Sequence, residues 1–229
     1  MVTPVPHSHP HADAPVLTAG TPLAAADAAV ILIHGRGASA ADILELSRQL
    51  TPAGIAFLAP QAANSTWYPL RFLEPIAQNE PYLSSALALI AALVAQAEAA
   101  GIASSRIAIV GFSQGACLAL EFAARHPARY GGVYGFSGGL IGPPGTTWPD
   151  FGSLDGTPIF LGCSDVDSHI PIDRVIASAD RLRELGAEVD MRIYPGMGHT
   201  INKDEIVALR TGIEAMLAQS STFGEGSST

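Results

Sequence analysis

Arg106-Ile-Ala-Ile-Val-Gly111-Phe-Ser113-Gln-Gly115-Ala-Cys-Leu-Ala-Leu-Glu-Phe-Ala-Ala-Arg125 is the stretch that decides how the chain is read. An apolar, β-branched run ends in G-x-S-x-G and passes directly into a helical pattern, which spells strand, sharp turn, helix. The spacing has a steric reason: small residues two before and two after the serine let the backbone bend without a clash. Such a turn lifts the hydroxyl above the carboxyl ends of the strands, where open α/β sheets bind ligands. The helix that follows supplies N–H groups and a positive dipole end for a developing oxyanion. Gly135-Phe-Ser137-Gly-Gly139 fits the same pattern, but it runs into Leu-Ile-Gly-Pro-Pro-Gly, which cannot start a helix. Ser113 is therefore the candidate nucleophile, and Ser137 a strand-end serine near the site.

Outward from this turn, short apolar runs alternate with helical patterns. Val30–Ile33, Ile55–Ala59, Ile107–Val110, Gly132–Phe136, Pro158–Leu161 and Val189–Tyr194 read as strands, continuous in apolar character as buried parallel strands are. Ala40–Leu50, Ser84–Ala100, Gln114–Arg125, Asp173–Leu185 and Lys203–Leu217 read as helices, the last carrying Ile206, Leu209, Ile213 and Met216 on one face. This alternation predicts an α/β fold, a mostly parallel sheet flanked by helices, in one domain without a large inserted lid. The domain is expected over residues 16–219, between a Pro- and His-rich flexible tail at 1–15 and a Ser/Gly/Thr tail at 220–229. His7, His9 and His11 could bind a metal ion, but they read as fortuitous histidines of that first tail. From Ala62 to Pro81 no regular element is evident, yet the segment holds Trp67, Tyr68 and Phe72. A long aromatic connection of this kind suits the wall of a substrate pocket.

The composition excludes several classes. At 229 residues, 48% of them hydrophobic and 14% charged, the chain has material for one substantial core. Its mean hydropathy is +0.29. The longest uninterrupted apolar stretch, Ala86 to Ala95, is half of what a bilayer span needs, so a buried helix is expected and membrane insertion is not. The net charge of −9, with Lys203 the sole lysine, leaves no basic cluster for a phosphate backbone, and nucleic acid is not expected as a partner. Cys117 and Cys163 each fall in an apolar element where a reduced thiol would pack. The first residues lack both a basic start and an apolar signal core, which makes the cytoplasm the expected address.

A serine hydroxyl needs a base, and the base a carboxylate to orient it. Among the histidines beyond the tail, His34 sits in a Gly-rich turn suited to presenting a backbone N–H, and His126 precedes Pro127 at a helix end. His169 lies on the loop after the strand that ends near Leu161. His199, in Tyr194-Pro-Gly-Met-Gly-His199-Thr, follows the last strand, where the histidine of a serine–acid–histidine sheet hydrolase comes. The acid belongs on the loop Gly162-Cys-Ser-Asp165-Val-Asp167-Ser-His-Ile-Pro171, whose two carboxylates spacing alone does not separate.

Taken together, Ile-His34-Gly-Arg-Gly37, Gly-Phe-Ser113-Gln-Gly, Asp167-Ser-His-Ile-Pro and Gly-Met-Gly-His199, in that order, resemble the phospholipase/carboxylesterase family of α/β-hydrolases. That family includes bacterial carboxylesterases and acyl-protein thioesterases. The resemblance covers roughly residues 30–217. It implies cofactor-independent hydrolysis of a small-molecule ester or thioester by Ser113, His199 and an acid. Its D-x-x-[V/I]-P loop places that acid at Asp167; a glycine usually stands three residues before the acid, and Gly162 so precedes Asp165, which stays as the alternative. The resemblance also assigns the oxyanion hole to the backbone N–H groups of Arg36 and Gln114, and the acyl-binding wall to the segment holding Trp67, Tyr68 and Phe72. Arg36 departs from the apolar residue common in that turn. Small to medium acyl chains are the expected substrates, against a long-groove lysophospholipase or acyl-protein thioesterase and, in a different class, a ligand receptor without turnover. Since the oxyanion donors would be backbone groups, Gln114→Ala is expected at this stage to keep most activity.

Overall fold

The computed structural model describes residues 9–50 and 53–218. Seven strands form one sheet: β1 (Val16–Gly20), β2 (Ala28–Ile33), β3 (Ile55–Pro60), β4 (Ile107–Phe112), β5 (Gly132–Phe136), β6 (Pro158–Ser164) and β7 (Glu188–Tyr194). Their order is β1-β3-β2-β4-β5-β6-β7. Only β1 runs antiparallel, pairing Val16 with Pro60 at one edge; the other pairings are parallel. Five α-helices cover the sheet: α1 (Ala40–Leu44), α2 (Tyr82–Ala99), α3 (Gln114–Arg125), α4 (Ile172–Glu184) and α5 (Lys203–Ala218).

The side-chain alternation of β2 sorts the core into two layers. Ala29, Ile31 and Ile33 pack on one face with residues of α2, α3 and α4, such as Ile90, Leu118 and Val175. Ala28, Val30 and Leu32 pack on the other with Ile43 of α1 and Leu209, Ile213 and Met216 of α5. All six residues of β2 are fully buried, as their uniformly apolar run requires. By length and composition α2 could cross a membrane. Its Leu83, Ala86, Leu87, Ile90, Leu93, Val94 and Ala97 are instead buried within the first core layer.

Three expectations need correction. β1 lies at the start of the expected domain but is not among the six strands expected from the sequence; as an edge strand touching the sheet from one side, its Val-Leu-Thr-Ala-Gly has no continuous apolar run. The N-terminal segment is also anchored before β1. His11 is fully buried, its Nε2–H donating to Trp67 O at 2.9 Å and its Nδ1 accepting from Ala63 N at 3.1 Å. With both ring nitrogens committed, His11 has none left for a metal ion. His7 and the 220–229 tail lie outside the described residues. The helix expected over 40–50 is shorter as well: α1 ends at Leu44 and a 3₁₀ turn continues through Glu45–Gln49.

Two backbone positions set how closely the layers approach. A Cβ at Gly115, the second residue of α3, would run into the carbonyls of Ile33 and His34 at the end of β2. One at Gly111 would run into Gly115 itself. The N-terminus of α3 thus lies backbone-to-backbone on two strands. Beside Gly162 of β6, α5 opens with a capping box: Asn202 Oδ1 accepts from Glu205 N at 3.0 Å, and Glu205 Oε2 accepts from Asn202 N at 2.8 Å. The Glu205 side chain is fully buried, and its Oε1 has no hydrogen-bond partner. Burial pushes this carboxyl up; the Asn202 N–H pulls it down, Asp204 pushes it up again, and the result is about 7.

Two outcomes follow from this packing. Gly115→Ala should lower stability by about 1–3 kcal/mol, the usual cost of overpacking, read as a drop in Tm; an unchanged Tm would mean that α3 can shift freely on the sheet. For Glu205, the folded chain keeps a proton that the unfolded chain releases near the ordinary carboxyl value, so stability falls as pH rises between about 4.5 and 7. Glu205→Gln should therefore raise Tm more at pH 8 than at pH 5. Equal shifts at both pH values would rule out a charge penalty at this position.

Candidate active site

The turn between β4 and α3 holds Ser113 at φ 55° and ψ −117°, a left-handed conformation that L-residues rarely adopt. It is braced by Ser113 N–H donating to Phe136 O at 2.9 Å on the neighbouring strand. Gly35 lies against it: a Cβ there would stand 3.4 Å from the Ser113 Cβ, which brings the His34–Gly37 turn beside the serine. Gln114 is the first residue of α3, so its N–H has no acceptor within the helix.

Three of the side chains singled out from the sequence meet in series. His199 Nε2 lies 2.8 Å from Ser113 Oγ, and His199 Nδ1 lies 2.7 Å from Asp167 Oδ2. The Asp167 carboxylate is fully buried, while His199 keeps 20% of its side-chain surface. Burial alone would push the Asp167 carboxyl up. The hydrogen bond to His199, the N–H groups of His169 (2.8 Å) and Ile170 (3.1 Å), and the His199 charge together hold it below the ordinary value. An ionised carboxylate only accepts, so Nδ1 carries the imidazole proton and Nε2 is free to accept from the serine hydroxyl. Asp165, the alternative acid, instead accepts from Gly196 N at 2.8 Å and so ties the His199 loop to the acidic loop.

The other histidines have different places. His34 is buried; its Nδ1–H donates to Gly35 O at 2.7 Å and its Nε2 accepts from Ala62 N at 3.0 Å. Burial lowers its pKa, in keeping with a neutral structural ring. His126 stacks on Phe122 at the end of α3, ring centroids 4.6 Å apart. The His169 ring lies 4.7 Å from that of His199. Ser137, also at positive φ, is fully buried with its hydroxyl unpartnered, and no helix follows it.

The long aromatic connection is folded rather than free. Short 3₁₀ turns occupy Ala63–Ser65 and Ile76–Asn79. Tyr68 and Phe72 line a cleft of about 240 Å³ together with Ser113, Cys117, Ile170 and His199. Trp67 does not line it, which corrects its expected place in the wall. Its ring is fully buried between His34 and His11, and its indole N–H donates to His34 O at 2.8 Å. Two polar side chains that the sequence reading credited only with backbone donors hold this segment in place. Gln114 Oε1 accepts from Trp67 N at 2.9 Å while its Nε2 donates to Tyr68 O at 2.8 Å. The Arg36 guanidinium donates to the carbonyls of Tyr68 (2.9 Å), Pro69 (2.9 Å) and Leu70 (2.6 Å). An Arg in the Gly-rich turn was the one sequence signal of this role. Among the described residues no group of three or more His, Cys, Asp or Glu side chains is placed to hold a metal ion.

Comparison with known proteins places this geometry. The sequence model of the family described as Phospholipase/Carboxylesterase matches residues 19–217. A phospholipase/carboxylesterase crystal structure from Dyadobacter fermentans is 42% identical, with a TM-score of 0.84 over 91% of this chain and 97% of its own. The crystal structure of esterase PE8 is 25% identical, with a TM-score of 0.72 over 89% of this chain and 99% of its own. Acyl-protein thioesterase 1 of Yarrowia lipolytica is 27% identical over 216 residues, 83% of this chain and 92% of the relative. On this match the chain has the α/β-hydrolase fold, belongs to the phospholipase/carboxylesterase family, and is a hydrolase of the carboxylesterase type.

Proposed function

We propose that the protein hydrolyses esters or thioesters of small to medium acyl chains through Ser113, His199 and Asp167, by way of an acyl-enzyme. The observation that carries this reading is the unbroken relay from the buried Asp167 carboxylate through His199 to the Ser113 hydroxyl, at 2.7 and 2.8 Å. His199 Nε2 takes the serine proton as Oγ attacks the acyl carbonyl, and the Nδ1–H bond to Asp167 stabilises the imidazolium that results. The backbone N–H groups of Arg36 and Gln114 receive the oxyanion, helped by the dipole of α3. Collapse of the tetrahedral intermediate expels the alcohol or thiol, which leaves with the proton held on Nε2. Water then repeats the sequence on the acyl-enzyme, its proton passing to His199, and the free acid departs as the proton returns to Oγ.

The volume of the cleft supports short acyl groups over long ones, since about 240 Å³ lies below the range usual for drug-sized ligands. The clamps from Gln114 and Arg36 keep the wall at Tyr68 and Phe72 at a set distance from the nucleophile.

The direct test is hydrolysis of a p-nitrophenyl ester series from acetyl to palmitoyl by wild type, Ser113→Ala and Ser137→Ala. Activity should peak at the short end and vanish in Ser113→Ala alone; loss in Ser137→Ala instead would move the nucleophile. Gln114→Ala should behave differently from the expectation drawn from sequence. It leaves the buried Trp67 N–H unpaired, at about 1–3 kcal/mol, while the Tyr68 carbonyl loses one of two donors and keeps Arg36. A Tm lower by several degrees and a kcat/KM reduced about tenfold are expected, far short of the loss in Ser113→Ala. Inactivity equal to that of Ser113→Ala would exclude a backbone role for residue 114.

A further inference from the structure

The charged groups on the wall of the cleft run against the composition of the chain. Acidic residues outnumber basic ones by 21 to 12, yet the lining holds Arg36, Arg71, His169 and His199 and no carboxylate. Asp167 is screened behind His199 with no exposed surface. The two guanidinium groups differ in what they do. That of Arg36 is spent on three neutral carbonyls, which take up three of its donors but leave its charge uncompensated. The Arg71 side chain is exposed and has no hydrogen bond or ion pair among the described residues.

Its backbone, by contrast, is held. The Arg71 carbonyl accepts from Asn79 Nδ2 at 3.2 Å and from Glu74 N at 3.1 Å, while Asn79 Oδ1 accepts from the adjacent Leu70 N at 2.8 Å. Glu74 shares the adjoining outer recess with Arg36 and Arg71 but pairs with neither. A cation with a fixed base, no internal partner and a place on the wall beside a proposed nucleophile is suited to an anion brought in by the substrate. Guanidinium groups pair with carboxylates in a planar, two-pronged geometry, which also orients what they hold.

From this arrangement we propose that the substrates are short esters or thioesters that carry a carboxylate within a few atoms of the scissile carbonyl, and that Arg71 binds that carboxylate. The proposal rests on the serine-hydrolase reading above and narrows its substrate class. The small cleft fits such compounds, whose second polar end would be poorly received by a purely apolar acyl pocket. Since the net charge of −9 disfavours anions at a distance, the preference arises at contact range and should persist in 0.2 M salt.

The experiment compares kcat/KM for pairs that differ in charge alone. Monomethyl glutarate against its monoamide, methyl 5-amino-5-oxopentanoate, places the anion on the acyl side; acetoxyacetate against acetoxyacetamide places it on the leaving alcohol. Wild type should favour the anionic member of at least one pair, and the pair concerned locates the carboxylate. In Arg71→Gln that anionic-to-neutral ratio should fall about tenfold or more, and Arg71→Lys should restore part of it. Any general effect of the substitution on folding or on the wall cancels in the ratio. A wild type without anionic preference in either pair, or a preference unchanged in Arg71→Gln, overturns the proposal while leaving the hydrolase reading intact. Hydrolysis of none of these esters, nor of any p-nitrophenyl ester, overturns both.

Discussion

The structure depends on a steric constraint where α3 meets the sheet. Gly111 and Gly115 let the helix backbone rest directly on the ends of β4 and β2, with no room for even one methyl group at either position. That closeness forces the intervening residue into the left-handed conformation seen at Ser113, with φ 55°. It also brings the Gly35 turn into contact with the serine and points the first N–H groups of α3 toward the same space. A looser junction would relax the turn and separate the groups that the proposed chemistry needs together.

Around this junction the protein uses polar side chains to fix an otherwise irregular segment. The connection between β3 and α2 has no sheet partner of its own, so its backbone groups must be satisfied from outside. His11 and His34 accept from Ala63 N and Ala62 N, Gln114 bridges Trp67 and Tyr68, Arg36 gathers three carbonyls, and Asn79 closes the far end. Arg36 and Gln114 sit beside the serine as well, so the pocket wall is referenced to the reacting centre rather than to a distant part of the core. Burial lowers the pKa of both His11 and His34, which keeps them neutral and able to accept.

The same economy governs the acidic loop. Its two carboxylates, two residues apart, take separate tasks: Asp167 orients the His199 ring and Asp165 holds the Gly196 backbone of the loop that carries it. The charge on Asp167 is kept in a buried place by hydrogen bonds from His199, His169 and Ile170, with the His199 charge adding to them. The lining of the cleft then holds Arg36, Arg71, His169 and His199 and no carboxylate.

Local pattern in the sequence determined the central part of the fold and singled out the candidate nucleophile. Six strands and five helices follow from apolar runs and helical periodicity, because each is buried along its own length and carries its own signal. The G-x-S-x-G turn is legible for the same reason: the glycines that allow it lie within two residues of the serine, and the lack of a helix after Ser137 separates the two matches. What only the tertiary structure decided involves partners far apart in the chain. The edge strand Val16–Gly20 has too little buried surface to mark itself. Asp165 and Asp167 both reach the loop some thirty residues on and differ only in what each meets there, the Gly196 N–H or the His199 ring. Trp67 belongs to the core and Tyr68 to the cleft because His34 and His11 enclose one ring and not the other. The buried His11, and the side chains of Arg36 and Gln114 that hold the wall, act through hydrogen bonds to carbonyls and amides, groups that every residue carries and that leave no mark in a sequence.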